Sequence, residues 1–349
     1  MCIIVWAQEV HPKYRLVLVA NREELFERET SSLHFWDGPT PILAGRDLKA
    51  GGTWLGVTQT GRIAALTNYR VPLDEMDKNE AKLSRGELLN DFLNGDTSPR
   101  DYMEGVSQNS HKYKDFNLVV GNLFEPLDMV YFGSRDDGGR PQLLKNGKIY
   151  GLSNAILDTN WWKLERAKDG VARVLSSESS ETDEEKVAEE LVERLFHQFA
   201  DPQVSDQEVL PATGLPSEWE RPMSSIFMPP TVLSKRASTY GTRSQAVILV
   251  GRDDSVHFVE RTMSLKSLIL SPTTARHGSR VQRKKGPSWI YTHYDFQLDA
   301  DTTNREHPRN TLQMMREEKR DTRSAPNTPV GHPRIKMKNV MIAGSTTAV

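Results

Sequence analysis

Cys2 is the chain's single cysteine. A small second residue favours removal of the initiator methionine, and Cys2 is then expected to carry both a thiol and a free α-amine. An α-amine has an ordinary pKa near ~8, so it accepts a proton around neutral pH. A thiol becomes a strong nucleophile once deprotonated, and an adjacent base activates it. One residue thus holds nucleophile and base, which is the logic of an N-terminal-nucleophile amidase. The blander account is that position 2 merely permits methionine removal. The choice turns on which polar residues the fold brings to the thiol.

Two strands are expected at the start, over 2–8 and 14–20. Tyr14-Arg15-Leu16-Val17-Leu18-Val19-Ala20 is a bounded apolar run suited to a buried strand, and His11-Pro12-Lys13 supplies the turn. Cys2 then opens a strand inside a packed sheet, and Asn21-Arg22-Glu23-Glu24 ends the second strand beside it. Ala50 to Val57, with paired glycines next to Trp54, reads as a tight bend with close backbone approach. It lacks the Gly-Lys-Ser/Thr end of a phosphate loop. Ile63 to Thr67 reads as a strand delivering Asn68-Tyr69-Arg70.

Ser84 and Glu87 have capping-box spacing ahead of a helix stopped by Asn94-Gly95. Thr182 and Glu185 make a second box, with Val187, Leu191, Leu195 and Phe199 on one helical face and His197 on the polar side. Strands are expected at Phe116–Val120, Met129–Phe132 and Ile149–Leu152, the last ending at Ser153-Asn154. Gln245–Val250 and Val256–Glu260 form a hairpin around Gly251-Arg252-Asp253-Asp254, and Trp289–Leu298 is a final strand. Strands at both sequence ends predict one interleaved α+β domain over 1–299. Residues 176–185 read as a solvated linker, and the acid-free basic stretch 264–288 as a loop insertion. The aromatic-free tail 300–349 is expected to be disordered.

Composition narrows the function classes. Lys+Arg 45 against Asp+Glu 47 gives net charge −2 over 349 residues, which excludes a basic nucleic-acid binder as the whole-chain reading. No apolar run approaches the roughly 18 residues of a membrane helix. Ile3–Ala7 is too short for a signal peptide and lacks a basic flank, there is no Asn-x-Ser/Thr sequon, and one cysteine permits no internal disulfide. A cytoplasmic location is expected. No His/Cys cluster has zinc spacing, so no metal is expected; His11, His34, His111, His197 and His257 read as solvated or internally satisfied.

Cys2, Asn21-Arg22-Glu23-Glu24, Gly51-Gly52-Thr53-Trp54-Leu55-Gly56, Thr67-Asn68-Tyr69-Arg70, Gly151-Leu152-Ser153-Asn154 and Tyr240-Gly241-Thr242-Arg243-Ser244 occur in this order. Together they resemble the transport and Golgi organisation 2 family, also called the NRDE family, over roughly 1–262. That family is similar to N-terminal-nucleophile hydrolases of the choloylglycine hydrolase and penicillin acylase kind. The resemblance implies an αββα sandwich, with two antiparallel sheets between helical layers. It also implies a catalytic set of Cys2 and Arg22, with Asn68 and Asn154 for the oxyanion and Arg243 completing the site. The chain departs from the pattern in carrying Glu23 where the family name motif has aspartate. Leu25 stands where the hydrolases place their orienting aspartate, so Glu23 or Glu24 is left to supply the carboxylate.

The resemblance further implies Golgi organisation and protein secretion, haem mobilisation, lipid or acyl-coenzyme A homeostasis, and association with Golgi or mitochondria. The favoured reading is a ligand carrier or chaperone on a hydrolase-like fold, with Arg22, Arg70 or Arg243 pairing a carboxylate or phosphate of haem or an acyl-lipid. Haem is then cargo; no cofactor is required and no nucleic acid is expected. The alternative is an N-terminal-cysteine amidohydrolase or thioesterase. A third reading is a peripheral membrane contact through the basic 264–288 segment.

Overall fold

The computed structural model describes residues 2–71, 82–177, 183–233, 238–264, 288–299, 336–338 and 341–342. Along the chain come β1 (Cys2–Gln8), β2 (Tyr14–Leu25), β3 (Thr30–Phe35), β4 (Ile42–Asp47), β5 (Leu55–Thr58) and β6 (Arg62–Asn68). Helices α1 (Gly86–Asn94) and α2 (Pro99–Asn109) follow, then β7 (Phe116–Asn122), β8 (Asp128–Gly133), β9 (Gln142–Leu143) and β10 (Lys148–Leu152). Next are α3 (Trp162–Ser176), α4 (Glu184–Gln198) and the single turn α5 (Ser217–Glu220). The chain closes with β11 (Thr231–Leu233), β12 (Ser238–Gly251), β13 (Ser255–Met263), β14 (Trp289–Gln297), β15 (Lys336–Lys338) and β16 (Met341–Ile342).

These strands make two antiparallel sheets. One runs β10-β1-β2-β12-β13-β14-β15, with β11 on β12 and β16 on β14; the other runs β3-β4-β5-β6-β7-β8-β9. The alternation of side chains along β1 and β2 explains the layering. Ile4, Trp6, Leu16, Leu18 and Ala20 enter one core shared with Leu43, Leu55, Val57 and Ile63 of the second sheet. The intervening Ile3, Val5, Ala7, Val17 and Val19 enter another, closed by Leu164 and Val171 of α3 and Leu195 and Phe196 of α4. The second sheet buries its outer face against Leu88, Phe92, Met103 and Val106 of α1 and α2. The order is therefore α3/α4, sheet, sheet, α1/α2: the αββα sandwich. Strands buried on both faces read as continuous apolar runs, which is why β1 and the first half of β2 stood out.

Several boundaries differ from expectation. β2 runs to Leu25, so Asn21-Arg22-Glu23-Glu24 lie inside the strand instead of ending it. The reason is β12, which pairs along it from Tyr14 to Leu25 and gives the polar residues ladder partners. The Ser84–Glu87 capping box does not form; Arg85 stands at the start of α1, with no side-chain cap. Asp183, not Thr182, caps α4, accepting from the N–H groups of Glu185 and Lys186.

Ser264 donates to the carbonyl of Ser288 at 2.9 Å, so the ends of the basic insertion meet. Its interior, 265–287, lies outside the described residues, as do 178–182 of the expected linker and most of the tail; the linker's ends are helical, Ser176 closing α3 and Glu184 and Glu185 opening α4. β15 and β16, from the stretch after 300, pair with β14.

Candidate functional site

Cys2 opens β1, half-buried, directly opposite Arg22 on β2. Its side chain takes the inter-sheet face that Ile4 and Trp6 continue. It lines a narrow pocket with Arg22, Trp54, Leu55 and Ser244. That pocket holds about 10 Å³, the space of about one water.

Arg22 is buried and makes three contacts from its place on β2. Its guanidinium lies 4.1 Å from the centre of the Trp54 ring. Its Nη2 lies 3.7 Å from the Asp47 carboxylate and 4.0 Å from that of Glu24. The nearer carboxylate thus comes from the end of β4 on the opposite sheet. Asp47 is held in turn by Arg28 Nε at 2.5 Å and by the N–H groups of Lys49 and Ala50. Burial alone would raise the Asp47 carboxyl, but the hydrogen bonds from Arg28 and Ala50 and the charges of Arg28 and Arg22 outweigh it and hold it below the usual range.

The Gly51-Gly52 motif makes this geometry. Asp47 exchanges backbone bonds with the pair, donating to Gly52 and accepting from Gly51. Gly51 sits at φ +76°, in the region that favours glycine. Gly52 lies so close to α1 that a Cβ would stand 2.7 Å from the Gly86 carbonyl carbon. The tight turn lays Trp54 against Arg22.

Asn154 and Asn68 come together beside the thiol strand. Asn154 Nδ2 donates to the Asn68 carbonyl at 2.7 Å, and Ser153 Oγ donates to the Cys2 carbonyl at 3.0 Å. Thr67 Oγ1 donates to the Ser153 carbonyl and accepts from Asn117 Nδ2, tying the two sheets at this corner. An amide carries two N–H groups, and this bond to Asn68 uses one of Asn154's.

Arg243 is the unpaired residue of a bulge, where the β2–β12 register shifts between Thr242 and Ser244. A bulge re-aims a side chain, and here it sends Arg243 onto the carbonyls of Leu25 and Arg28. Arg243 thus braces the turn carrying Arg28. Burial, then the charge of Arg22, lower its pKa.

The reverse face of β2 is equally polar. Asn21 faces away from the pocket, donating to the carbonyls of Phe199 at 2.9 Å and Ile226 at 2.8 Å. It positions the sheet against the end of α4 and does not meet Cys2. Glu23 lies on the same reverse face, buried, with its backbone carbonyl accepting from Tyr240 Oη at 3.1 Å. Arg70, expected to pair a ligand, is paired with buried Glu220, which Thr213 also contacts. Lys163, in the first turn of α3, is 2% exposed and its Nζ lacks a hydrogen-bond partner among the described residues. Burial lowers its pKa; the charges of Glu23, Arg70, Glu220 and Cys2 also act on it. Nothing in the sequence marked Lys163, which reads as a surface residue opening a helix.

Glu260 on β13 is a further buried carboxyl near the same arginines. Its Oε1 accepts from the Leu33 N–H at 2.9 Å. Burial pushes its pKa up to about 7, against that bond and the charge of Arg22.

The electrostatics decide what Cys2 can do. Burial raises its pKa; the chain-start amine, Arg22 and the Glu23 N–H pull down but do not offset it. With Met1 in place the thiol therefore rests protonated, and a protonated thiol needs a base when it reacts. Among the described residues no histidine lines the pocket, and Cys2 is the one lining residue of a type that ligates haem iron. Of the five expected residues, Cys2 and Arg22 line the pocket; Asn68 and Asn154 bond each other and Arg243 bonds the carbonyls of Leu25 and Arg28, and these three are not among its lining.

Comparison with known proteins gives the lineage. The chain is 36% identical over 279 residues to the mouse Transport and Golgi organization 2 homolog, covering 75% of this chain and 93% of that protein. It is 36% identical over 294 residues to the bovine homolog, covering 81% and 100%, and 26% identical over 283 residues to the Drosophila melanogaster protein, covering 76% and 93%. Among solved structures, penicillin V acylase from Agrobacterium tumefaciens aligns with TM-score 0.39 and 11% identity over 74% of this chain and 82% of that one. A bile acid hydrolase from Clostridium perfringens aligns with TM-score 0.35 and 10% identity over 74% and 88%. The family model for Transport and Golgi organisation 2 matches residues 1–265, and the chain belongs to that family.

Proposed function

We propose that this protein is a cysteine-centred acyl hydrolase, acting on an amide or a thioester and serving the transport and Golgi organisation for which its relatives are named. The observation that carries the reading is the register of Cys2 with Arg22, in a pocket between the sheets where the thiol rests protonated. A resting thiolate needs no base; a protonated thiol does, and the α-amine that methionine removal would leave on Cys2 is a base on the same residue.

The step balances as follows. The α-amine takes the thiol proton as sulfur bonds to the acyl carbon. Negative charge collects on the carbonyl oxygen and is met by amide N–H donors, for which Asn154 and Asn68 are the candidates. The intermediate collapses, the amine or thiol leaves with the proton from the ammonium, and water then cleaves the thioester on Cys2. Arg22, fixed by Trp54 and Asp47, keeps positive charge beside the sulfur throughout.

A carrier of haem or acyl-coenzyme A is the competing reading. A pocket of about 10 Å³ admits neither such a ligand nor an acyl substrate unless the sheets part, so the register of Cys2 with Arg22, not the volume, favours the hydrolase. The two separate by experiment. Intact mass of the natively expressed chain, before and after acyl-coenzyme A or a haloacetamide, is expected to show Met1 absent and one adduct on Cys2, with turnover lost in Cys2→Ala. Retained Met1, or an inert thiol, overturns the hydrolase. Stoichiometric haem or acyl-coenzyme A binding that survives Cys2→Ala is the carrier's signature.

A further inference from the structure

His257, His293 and Asp295 meet at the far end of the same sheet from Cys2. His257 on β13 pairs directly with Asp295 on β14, and Val259, two residues on, pairs with His293. Residues two apart on a strand share a face, and diagonal neighbours across an antiparallel pair lie within side-chain reach. Asp295 Oδ1 lies 2.7 Å from His257 Nδ1 and 2.7 Å from His293 Nε2. These three atoms all lie within 4.8 Å of one another. The side chains are 21%, 18% and 24% exposed, half-buried on a rigid two-strand floor. In front of His257 and Asp295 opens a cavity of about 470 Å³, with Lys13, Glu185, Arg252 and Asp253 on its walls.

We infer that this cluster is a divalent transition-metal site, selective for Zn²⁺-type ions, with His257 Nδ1, His293 Nε2 and Asp295 Oδ1 as ligands and one position open to the cavity. The donor set carries the choice of ion. Two imidazoles and one carboxylate suit zinc, whereas calcium and magnesium take all-oxygen shells. Three protein ligands with an open fourth position describe a site that can hold water or an exogenous ligand, not a closed structural one. With zinc bonds of about 2.0–2.1 Å, tetrahedral ligand atoms stand about 3.3 Å apart. The two nitrogens therefore draw back from the oxygen by about half an ångström, and their own separation, within 4.8 Å, closes to about 3.3 Å. The ion takes the place of the hydrogen that His257 shares with Oδ1 and gives His293 Nε2, which has no hydrogen-bond partner among the described residues, a ligand bond; each neutral ring then carries its N–H on its other nitrogen.

The test uses the full-length chain with Cys2→Ser, so that the thiol contributes nothing. After dialysis against a chelator, Zn²⁺ is titrated calorimetrically. One equivalent is expected. Affinity is expected to fall more than about 10-fold, the loss that even outer-shell changes cause, in both His257→Gln and His293→Gln, and to hold in His34→Gln. No saturable binding, or binding unchanged in both site variants, overturns the inference. Should either variant unfold, Co²⁺ added to the Cys2→Ser chain decides: intense visible bands of a four-coordinate ion support the site, and their absence refutes it.

Discussion

The two ends of the larger sheet solve the same problem differently. At the Cys2 end, three arginines are buried and held by partners distant in sequence: Arg22 by Trp54 and Asp47, Arg70 by Glu220, Arg243 by the carbonyls of Leu25 and Arg28. At the other end, His257, His293 and Asp295 sit half-exposed on two adjacent strands, with His257 bonded to Asp295 and His293 in contact with it. Burying charge costs several kcal/mol per ion unless geometry and hydrogen bonds return it. The Cys2 end is therefore one coupled network, in which a lost member strands its partner. The other end is a surface cluster that a loss leaves to water.

The largest effect is expected where that coupling is tightest. Arg70→Ala leaves the Glu220 carboxylate, 3% exposed, without its cation. Removing one partner of a buried pair costs about 3–5 kcal/mol, read as a drop in urea-unfolding free energy. A cost below about 1 kcal/mol would mean that solvent reaches Glu220 and that the two ends do not differ.

Glu260 sharpens the contrast through pH. Its folded pKa, about 7, stands above that of an unfolded carboxyl. The folded state thus favours the protonated form, and stability erodes as pH rises from the unfolded value, near ~4.3, through about 7. Glu260→Gln keeps an acceptor for the Leu33 N–H but does not titrate. Between pH 4 and pH 8 the variant is expected to gain about 3 kcal/mol on the parent. Unfolding curves at several pH values test this, and a constant difference between the two chains contradicts it.

Next in size is Gly52→Ala. The new methyl group would meet the Gly86 backbone, which cannot swing aside as a side-chain end can. Overpacking of this kind costs about 1–3 kcal/mol. Because the same turn positions Trp54 and Asp47 against Arg22, alkylation of Cys2 is expected to slow alongside the lost stability. Unchanged labelling in a destabilised variant would separate the turn from the site.

How much of this was legible follows from where the partners lie. The strands could be read because β1, β7 and β12 carry apolar runs, whereas the two-sheet layering came only through the family resemblance, as did the roles of Cys2 and Arg22, which fall in short motifs. Asp47 was missed because the search for a carboxylate ran along β2, to Glu23 and Glu24, while the nearer one crosses from the other sheet. Arg70 and Arg243 were read as ligand-pairing groups; one pairs Glu220 and the other, re-aimed by a bulge, grips backbone. Asn21 sits in the same motif as Arg22 but on the opposite face, an alternation visible only once β2 was known to run to Leu25. The histidine cluster has no local spacing at all: 36 residues separate His257 from His293 in the numbering, and only the β13–β14 register joins them.

The smallest expected effect tests the surface end. Asp295→Asn removes the charge that His257 bonds and His293 faces but keeps an oxygen in place. The side chain is 24% exposed, so water can replace what is lost. A half-exposed hydrogen-bonded pair contributes about 0.5–1.5 kcal/mol net, and the asparagine retains part of it. The expected cost is therefore about 1 kcal/mol or less in urea unfolding, several-fold below Arg70→Ala. A cost near 3 kcal/mol would show that this end is as tightly coupled as the Cys2 end, and the contrast between them would fail. A small cost with lost Zn²⁺ binding would fit a cluster that the fold can do without and whose role is to bind.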